Sequence, residues 1–272
     1  MVMLQIKWNK WKIGILLGVI LPAVVACGNA APTTLVSSAT PLLLPTVTSL
    51  STPTPPPLYL SVTLGTVPKM ELGKSPSYTI DVQVPVLQGS DDPRATNFNN
   101  EMTLLVQREI GVFKDNVREL APVPMSNGST LTGKYTLFSA PGNILSLKLE
   151  FMRYIAGSAH PSTYSRTVTY DLEAGSDVSL NQLFRNGSAY LQVISDYCVA
   201  QLTPKIPGLF NNGLDPTTNN YQSWNITPNG LLITFDEYQV APYALGPQQV
   251  VLPYTELKAI IDPQGPLASY LP

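Results

Sequence analysis

The chain has 272 residues, with 16 Lys and Arg against 18 Asp and Glu, a single histidine, His160, and two cysteines, Cys27 and Cys198. Charged residues make up 12% of it and 26 residues are proline, about half and about twice the usual shares. These counts exclude a zinc site built from Cys and His, a disulfide-rich scaffold, and the basic excess that nucleic acid demands.

Met1 to Lys12 carries Lys7, Lys10 and Lys12, and Ile13 to Val25 carries no charge. This is the n-region and h-region of an export signal. Its apolar run of about 13 residues falls short of the ~20 that cross a membrane as a helix. It ends in Val24-Val25-Ala26-Cys27-Gly28, which resembles a bacterial lipobox. Residues 1–26 are therefore expected to be a lipoprotein signal peptide, with Cys27 the site of lipidation by chains such as palmitate. An ordinary signal peptide and an uncleaved anchor are the alternatives. More than one acyl chain anchors stably, where one alone is marginal. The expected location is the cell membrane, facing outside the cytoplasm. Loss of the three lysines would leave 13 basic and 18 acidic residues, a net charge of −5, which slightly favours a basic partner.

Residues 27–57 read as a tether. Gly28 to Pro57 holds seven Pro, seven Thr and four Ser, and no charge occurs between Lys12 and Lys69. Extended at ~3.1 Å per residue, such a segment reaches about 90 Å, and as a coil roughly 30 Å.

From Leu58 the pattern becomes globular. Alternation predicts strands over Leu58–Leu64 and Tyr78–Val84. Phe98, Met102, Leu105, Val106, Phe113, Val117 and Leu120 recur every three to four residues. They predict a long helix begun at Asp92-Pro93 or Thr96 and ended by Pro122 and Pro124. Strands follow at Leu131–Phe138, Ile144–Ala156 and Thr163–Leu172, close enough in sequence to favour antiparallel pairing. A helical turn capped by Ser179 is expected at Leu180–Phe184. A second helix spans Ser188–Leu202, with Leu191, Ile194, Cys198 and Leu202 on its apolar stripe; Cys198 is read there as a buried small hydrophobe. A hairpin of Trp224–Ile226 and Leu231–Tyr238 turns at Pro228-Asn229-Gly230. Val250–Leu252 is a short strand and Thr255–Ile261 a closing helix. The class is α+β: antiparallel sheets packed with two main helices and a short C-terminal helix. An N-terminal half, 58–139, and a C-terminal half, 140–272, are expected as two subdomains.

His160 precedes a proline at a strand-to-strand corner. It could serve nucleophilic catalysis with a Ser and an Asp, but no Gly-x-Ser-x-Gly elbow occurs, and a structural or binding role is favoured. Asp236-Glu237 is read as a solvated pair, since neighbours on a strand point to opposite faces. Asp171, Glu173 and Asp177 lack the EF-hand spacing, so no metal is expected. No Walker motif or Gly-x-Gly-x-x-Gly is present, so no cofactor is expected. Sequons at Asn127, Asn186 and Asn225 carry no information if the export route is bacterial. Tyr238, Pro242, Tyr243 and Gly246 make an aromatic, irregular segment. Tyrosines are favoured at recognition surfaces, and core packing is the alternative. With His160, these four are the candidate ligand-binding residues; no catalytic residue is assigned.

Several segments resemble a known family. They are Ala159-His160-Pro161, Thr169-Tyr170-Asp171-Leu172 with Gly175, and Ser179-Leu180 to Leu183-Phe184. Later come Leu231–Phe235, Tyr238 to Gly246, and Val250–Pro253. Their order is similar to the extracytoplasmic domain of RsiV-type anti-sigma factors, a module also found before the catalytic domain of some peptidoglycan deacetylases. The likeness spans roughly residues 140–262; Tyr78–Phe138 fits in arrangement only. It implies an α+β cell-envelope module that binds lysozyme, a basic protein, and is not itself catalytic. Only Met1 to Lys12 precedes the apolar segment, so no sigma factor is expected as a partner. The expected function is a lipid-anchored, extracytoplasmic binding module for a lysozyme-like protein or for cell-wall glycan such as peptidoglycan. An enzyme acting on cell-wall polymer and a structural accessory protein of the envelope are the alternatives.

Overall fold

The computed structural model describes residues 57–120, 128–138 and 142–271. The expected signal peptide, Cys27, nearly all of the tether, the helix-ending Pro122 and Pro124, and the sequon at Asn127 lie outside the described residues. Among the described residues no helix is long and apolar enough to cross a membrane.

A long hairpin opens the fold. β1 (Thr63–Lys74) pairs antiparallel with β2 (Ser77–Gln88) along their whole lengths. The strand expected from Leu58 starts later. Leu58–Leu60 is a single 3-10 turn, closed by Ser61 N–H donating to Leu58 C=O at 2.9 Å. β1 then runs ten residues past Leu64, through Gly65, Pro68 and Gly73, which are poor strand formers. Pairing with β2 overrides their local preference, and Pro68 is tolerated because β1 is an edge of the sheet.

Helix α1 (Pro93–Leu120) carries the chain to β3 (Ser129–Phe138). This crossover makes β2 and β3 parallel, as a connection of that length permits. All other neighbouring strands pair antiparallel, as expected, and this one pair is the exception. β3, β4 (Ile144–Tyr154), β5 (Ser162–Asp171) and the two-residue β6 (Ser176–Asp177) then follow antiparallel in sequence order, completing a six-stranded sheet. α1 lays Phe98, Met102, Val106, Ile110, Phe113 and Val117 against Ile80, Val82, Leu131, Leu149 and Phe151 of that sheet. Phe98 meets Tyr170 edge-on at 5.2 Å and Phe113 meets Tyr78 at 6.0 Å. Each such ring contributes roughly 1.5–3 kcal/mol by leaving water.

A second core forms beyond Leu172. α2 (Tyr190–Leu202) packs Ile194, Cys198 and Leu202 on a three-stranded antiparallel sheet of β7 (Trp224–Thr227), β8 (Gly230–Phe235) and β9 (Gln248–Leu252). Cys198 is buried, as its stripe position predicts, and burial pushes its thiol up to about 12. The closing helix is shorter than expected: α3 (Tyr254–Leu257) is one turn, and Leu257 and Ile261 seal the core after it. Gly230 sits at φ +150, where a Cβ would lie 2.1 Å from the carbonyl oxygen of Leu252. Only glycine lets β9 come this close to the turn.

The expected halves meet inside one compact unit, Pro53–Pro272. β4 and β5, assigned to the second half, pair within the first-half sheet, and, Ile144 apart, the residues of the second core come after Leu172. Ser146 on β4 joins the two cores: its Oγ accepts Ile226 N–H at 2.9 Å and Asn225 Nδ2–H at 3.0 Å. Asn225 Nδ2 also donates to Leu147 C=O at 2.9 Å. Both residues are fully buried, so in the folded protein Asn225 serves the join between the cores.

Candidate functional site

The free edge of β5 sets the site. β6 covers only Tyr170 and Asp171 of that edge. The N–H groups of Thr163 and Ser165 are left to the chain after β8, where Glu237 Oε2 accepts from Thr163 at 3.0 Å and Asp236 Oδ1 accepts from Ser165 at 2.9 Å. The solvated carboxylate pair is thereby corrected. β8 ends at Phe235, so strand alternation no longer applies to Asp236 and Glu237, and both aim at the same edge. Burial pushes the Asp236 carboxyl up to about 6, against the opposing pull of the Ser165 N–H and of Arg166.

The latch fixes the next residues. Gln239 N–H donates to Asp236 C=O at 3.1 Å, and Val240 and Ala241 are buried. Between them Tyr238 is held at φ +66, alone among the described non-glycine residues, and its side chain is 56% exposed. A tyrosine in that region is strained. Pro242 leads into a 3-10 turn, Tyr243–Leu245, which Gly246 ends at φ +64.

This turn brings the candidate residues together. The His160 ring stacks on Tyr243 at 3.7 Å, and Tyr243 on Tyr238 at 5.7 Å. Tyr243 O–H donates to Pro161 C=O at 3.1 Å. His160 Nδ1 lies 2.9 Å from the same carbonyl and must carry the proton there, leaving Nε2 to accept from Tyr238 O–H at 3.3 Å. Both ring nitrogens are thus engaged. Of the five candidates, three are aromatic neighbours, while Pro242 and Gly246 act as the bounds of the turn that presents Tyr243.

A groove of about 350 Å³ runs beside these rings, lined by Glu109, Tyr164, Arg166, Asp236, Glu237 and Tyr238. It meets a second hollow of about 440 Å³ lined by Asn116, Arg153, Ser158, His160 and Ser162. Arg153 and Ser162 belong to both. Tyr164 stacks on Phe151 at 5.5 Å, with Arg166 4.9 Å and Arg153 5.7 Å from its ring. Burial, with the Glu109 carboxylate next, raises its hydroxyl pKa. Arg166 is neutralised by Glu109 at 2.8 Å. Sequence reasoning missed this wall. In the β4–β5 register Arg153 pairs with Ser162 and Tyr164 with Phe151, so Arg153 reaches the Tyr164 ring on the diagonal, a meeting that only the register makes visible.

The acidic residues weighed for calcium are used otherwise. Asp171 Oδ1 accepts the N–H groups of Glu173 at 2.8 Å and Ala174 at 3.0 Å. Asp177 faces Glu101, whose carboxyl is pushed up to about 7 by burial first and by Asp177 second. Among the described residues no three His, Cys, Asp or Glu side chains are placed to hold a metal.

Residues 181–255 match the model of DUF3298, a family described as protein of unknown function. The chain is 27% identical over 185 residues to the anti-sigma-V factor RsiV of Bacillus subtilis, covering 64% of this chain and 62% of that one. It is 23% identical over 163 residues to the peptidoglycan-N-acetylmuramic acid deacetylase PdaC of the same organism, covering 58% and 35%. Against the immunogenic protein MPT64 of Mycobacterium tuberculosis it is 26% identical over 110 residues, covering 39% and 47%. The chain thus spans about a third of the length of PdaC and under two thirds of RsiV. A solved DUF3298 protein from Bacteroides fragilis superposes with a TM-score of 0.54 at 14% identity, over 77% of this chain and 96% of that one. One from Pseudomonas aeruginosa gives 0.53 at 15%, over 74% and 95%. These structures share the α+β fold. The matched segment contains Tyr238, Pro242, Tyr243 and Gly246, and stops short of Arg153 and His160.

Proposed function

We propose that this chain, which carries a DUF3298 segment and resembles the RsiV-type domain, is a binding module of the bacterial cell envelope, held at the membrane by lipid on Cys27. Its ligand is a basic, lysozyme-like protein or a cell-wall glycan. One observation carries the reading: Tyr238 is exposed and strained, and is kept so by the part-buried carboxylate latch before it and the buried Val240 and Ala241 after it. Backbone strain persists where the surrounding structure over-determines it, and such sites cluster at ligand clamps. The neighbouring rings of Tyr243 and His160 extend the same surface, and rigid aromatic rings bind with little loss of side-chain entropy. The net charge of −5 expected for the mature chain suits a basic protein partner. RsiV and PdaC, by their names, work on sigma-factor control and on peptidoglycan; both belong to proteins longer than the segment shared here.

The domain acts without chemistry of its own in this reading, because both His160 nitrogens are engaged within the aromatic cluster and neither faces a carboxylate. The test is Tyr238→Gly, which keeps the backbone at ease and removes the ring. Co-sedimentation with purified sacculi and binding of hen lysozyme are measured for both forms. One of the two ligands should bind the wild type and lose at least tenfold in affinity with the variant. Unchanged binding of both would refute the assignment of the site.

The polar hollow beside His160 favours a second reading, an enzyme acting on cell-wall polymer. Turnover of sacculi that vanishes in His160→Ala, with folding intact, would establish it in place of the first.

A further inference from the structure

The groove has two unlike ends. In one, Glu109, Arg166, Asp236 and Glu237 place charges of both signs together, with Arg153 at the boundary where the two hollows meet. In the other, Asn116, Ser158, His160 and Ser162 surround Arg153, and Arg153 is the single charged side chain. Arg166 is paired to Glu109 at 2.8 Å, whereas among the described residues no carboxylate lies within ion-pair distance of Arg153. Its guanidinium is positioned by the Tyr164 ring, 5.7 Å away. A guanidinium held against a ring loses little freedom when it grips an oxyanion, and its fork matches a carboxylate.

We infer that Arg153 is the anchor for a carboxylate borne by an acidic amino-sugar glycan, whose sugar rings lie along the groove toward Tyr238. This rests on the binding-module reading and names the ligand class within it. Two features favour a glycan over an acidic peptide. The mixed-charge end offers carboxylate acceptors, Glu237 and Asp236, for hydroxyl and acetamide N–H groups. The exposed face of Tyr238 gives an apolar wall for the C–H face of a sugar. The hydroxyls of Ser158 and Ser162 and the amide of Asn116 supply further donors beside Arg153.

Calorimetry on the folded protein with two probes tests this. One is a tetrasaccharide of alternating N-acetylglucosamine and N-acetylmuramic acid, which bears lactyl carboxylates. The other is neutral tetra-N-acetylchitotetraose. The wild type should bind the acidic probe at least tenfold more tightly. Arg153→Met, which keeps an apolar stem on Tyr164, should erase that preference, bringing the acidic probe down to the affinity of the neutral one. Tyr238→Gly should weaken both. Melting temperatures of the variants confirm folding; should Arg153→Met fail to fold, Arg153→Lys and its lowered preference serve instead. Equal affinity for the two probes, or a preference that survives Arg153→Met, overturns the inference. Tighter binding of a poly-glutamate peptide than of the acidic tetrasaccharide overturns it in favour of a protein ligand. If neither sugar binds but lysozyme does, in a Tyr238-dependent way, the glycan falls and the binding module stands. If nothing binds, both fall.

Discussion

Tyr238 holds the most informative backbone angle among the described residues. Left-handed backbone costs an L-residue about 1–2 kcal/mol relative to glycine. Tyr238→Gly should therefore leave the melting temperature unchanged or raise it while it lowers ligand affinity. A fall in stability matching the loss of binding would show that the ring serves packing instead. Ser146 and Asn225 are the opposite kind of residue, buried and hidden from any ligand. Ser146 accepts two hydrogen bonds from β7, so Ser146→Ala leaves buried donors unmatched and should cost about 1–3 kcal/mol in chemical denaturation. Neither role could be read from sequence. Ser146 carries no signal of its own within the predicted Ile144–Ala156 strand, and Asn225 stands out only as a sequon. By contrast, the Tyr, Pro and Gly of the 238–246 segment announced an irregular aromatic turn by residue type alone. What sequence could not show was its meeting with His160, which depends on how β5 and β8 are joined.

At the scale of elements, the strongest patterns became the strongest structures. The three-to-four spacing of α1 marked its buried face correctly from Phe98 to Val117, and the close succession of β3, β4 and β5 fixed their antiparallel pairing. β1 past Leu64 and the parallel β2–β3 pair were illegible, because long-range pairing decides them and local propensity does not. The latch on β5 was equally hidden and has a pH signature. Asp236 is raised to about 6 by burial, so the unfolded chain releases that proton at lower pH than the folded one. Its contribution to stability is complete below about pH 4 and is lost as pH rises through about 6. Of the charged groups facing the same groove, Arg166 pulls the Asp236 carboxyl down and Glu237 pushes it up, while Glu109 is paired with Arg166. Glu101, raised to about 7 beside Asp177, adds a loss of the same sign over a slightly higher window. Thermal melts between pH 4 and 8 should show falling stability, and Asp236→Asn should flatten the portion near pH 6. An unchanged slope in Asp236→Asn would contradict the burial argument.

For the whole molecule, two cores share one compact unit and are tied through β4 and β5, the same strands that carry Arg153 and His160's corner. The aromatic site therefore sits where the two cores are joined, and loosening of either should disturb it. The α+β class was readable from the mixture of periods along the chain. The position of the seam was not, because β4 and β5 are spent on the first sheet although the family likeness begins near them. Placement in the cell rests on the other end of the chain, on Cys27 and the proline-rich segment after it. The proposal that this domain works outside the cytoplasm underlies every ligand considered for it. Metabolic labelling with radioactive palmitate of wild type and Cys27→Ser in the native bacterium tests that claim most directly. The account predicts a labelled, membrane-associated wild type and an unlabelled variant. Equal labelling of both, or unmodified wild type recovered from the cytosol, would contradict it.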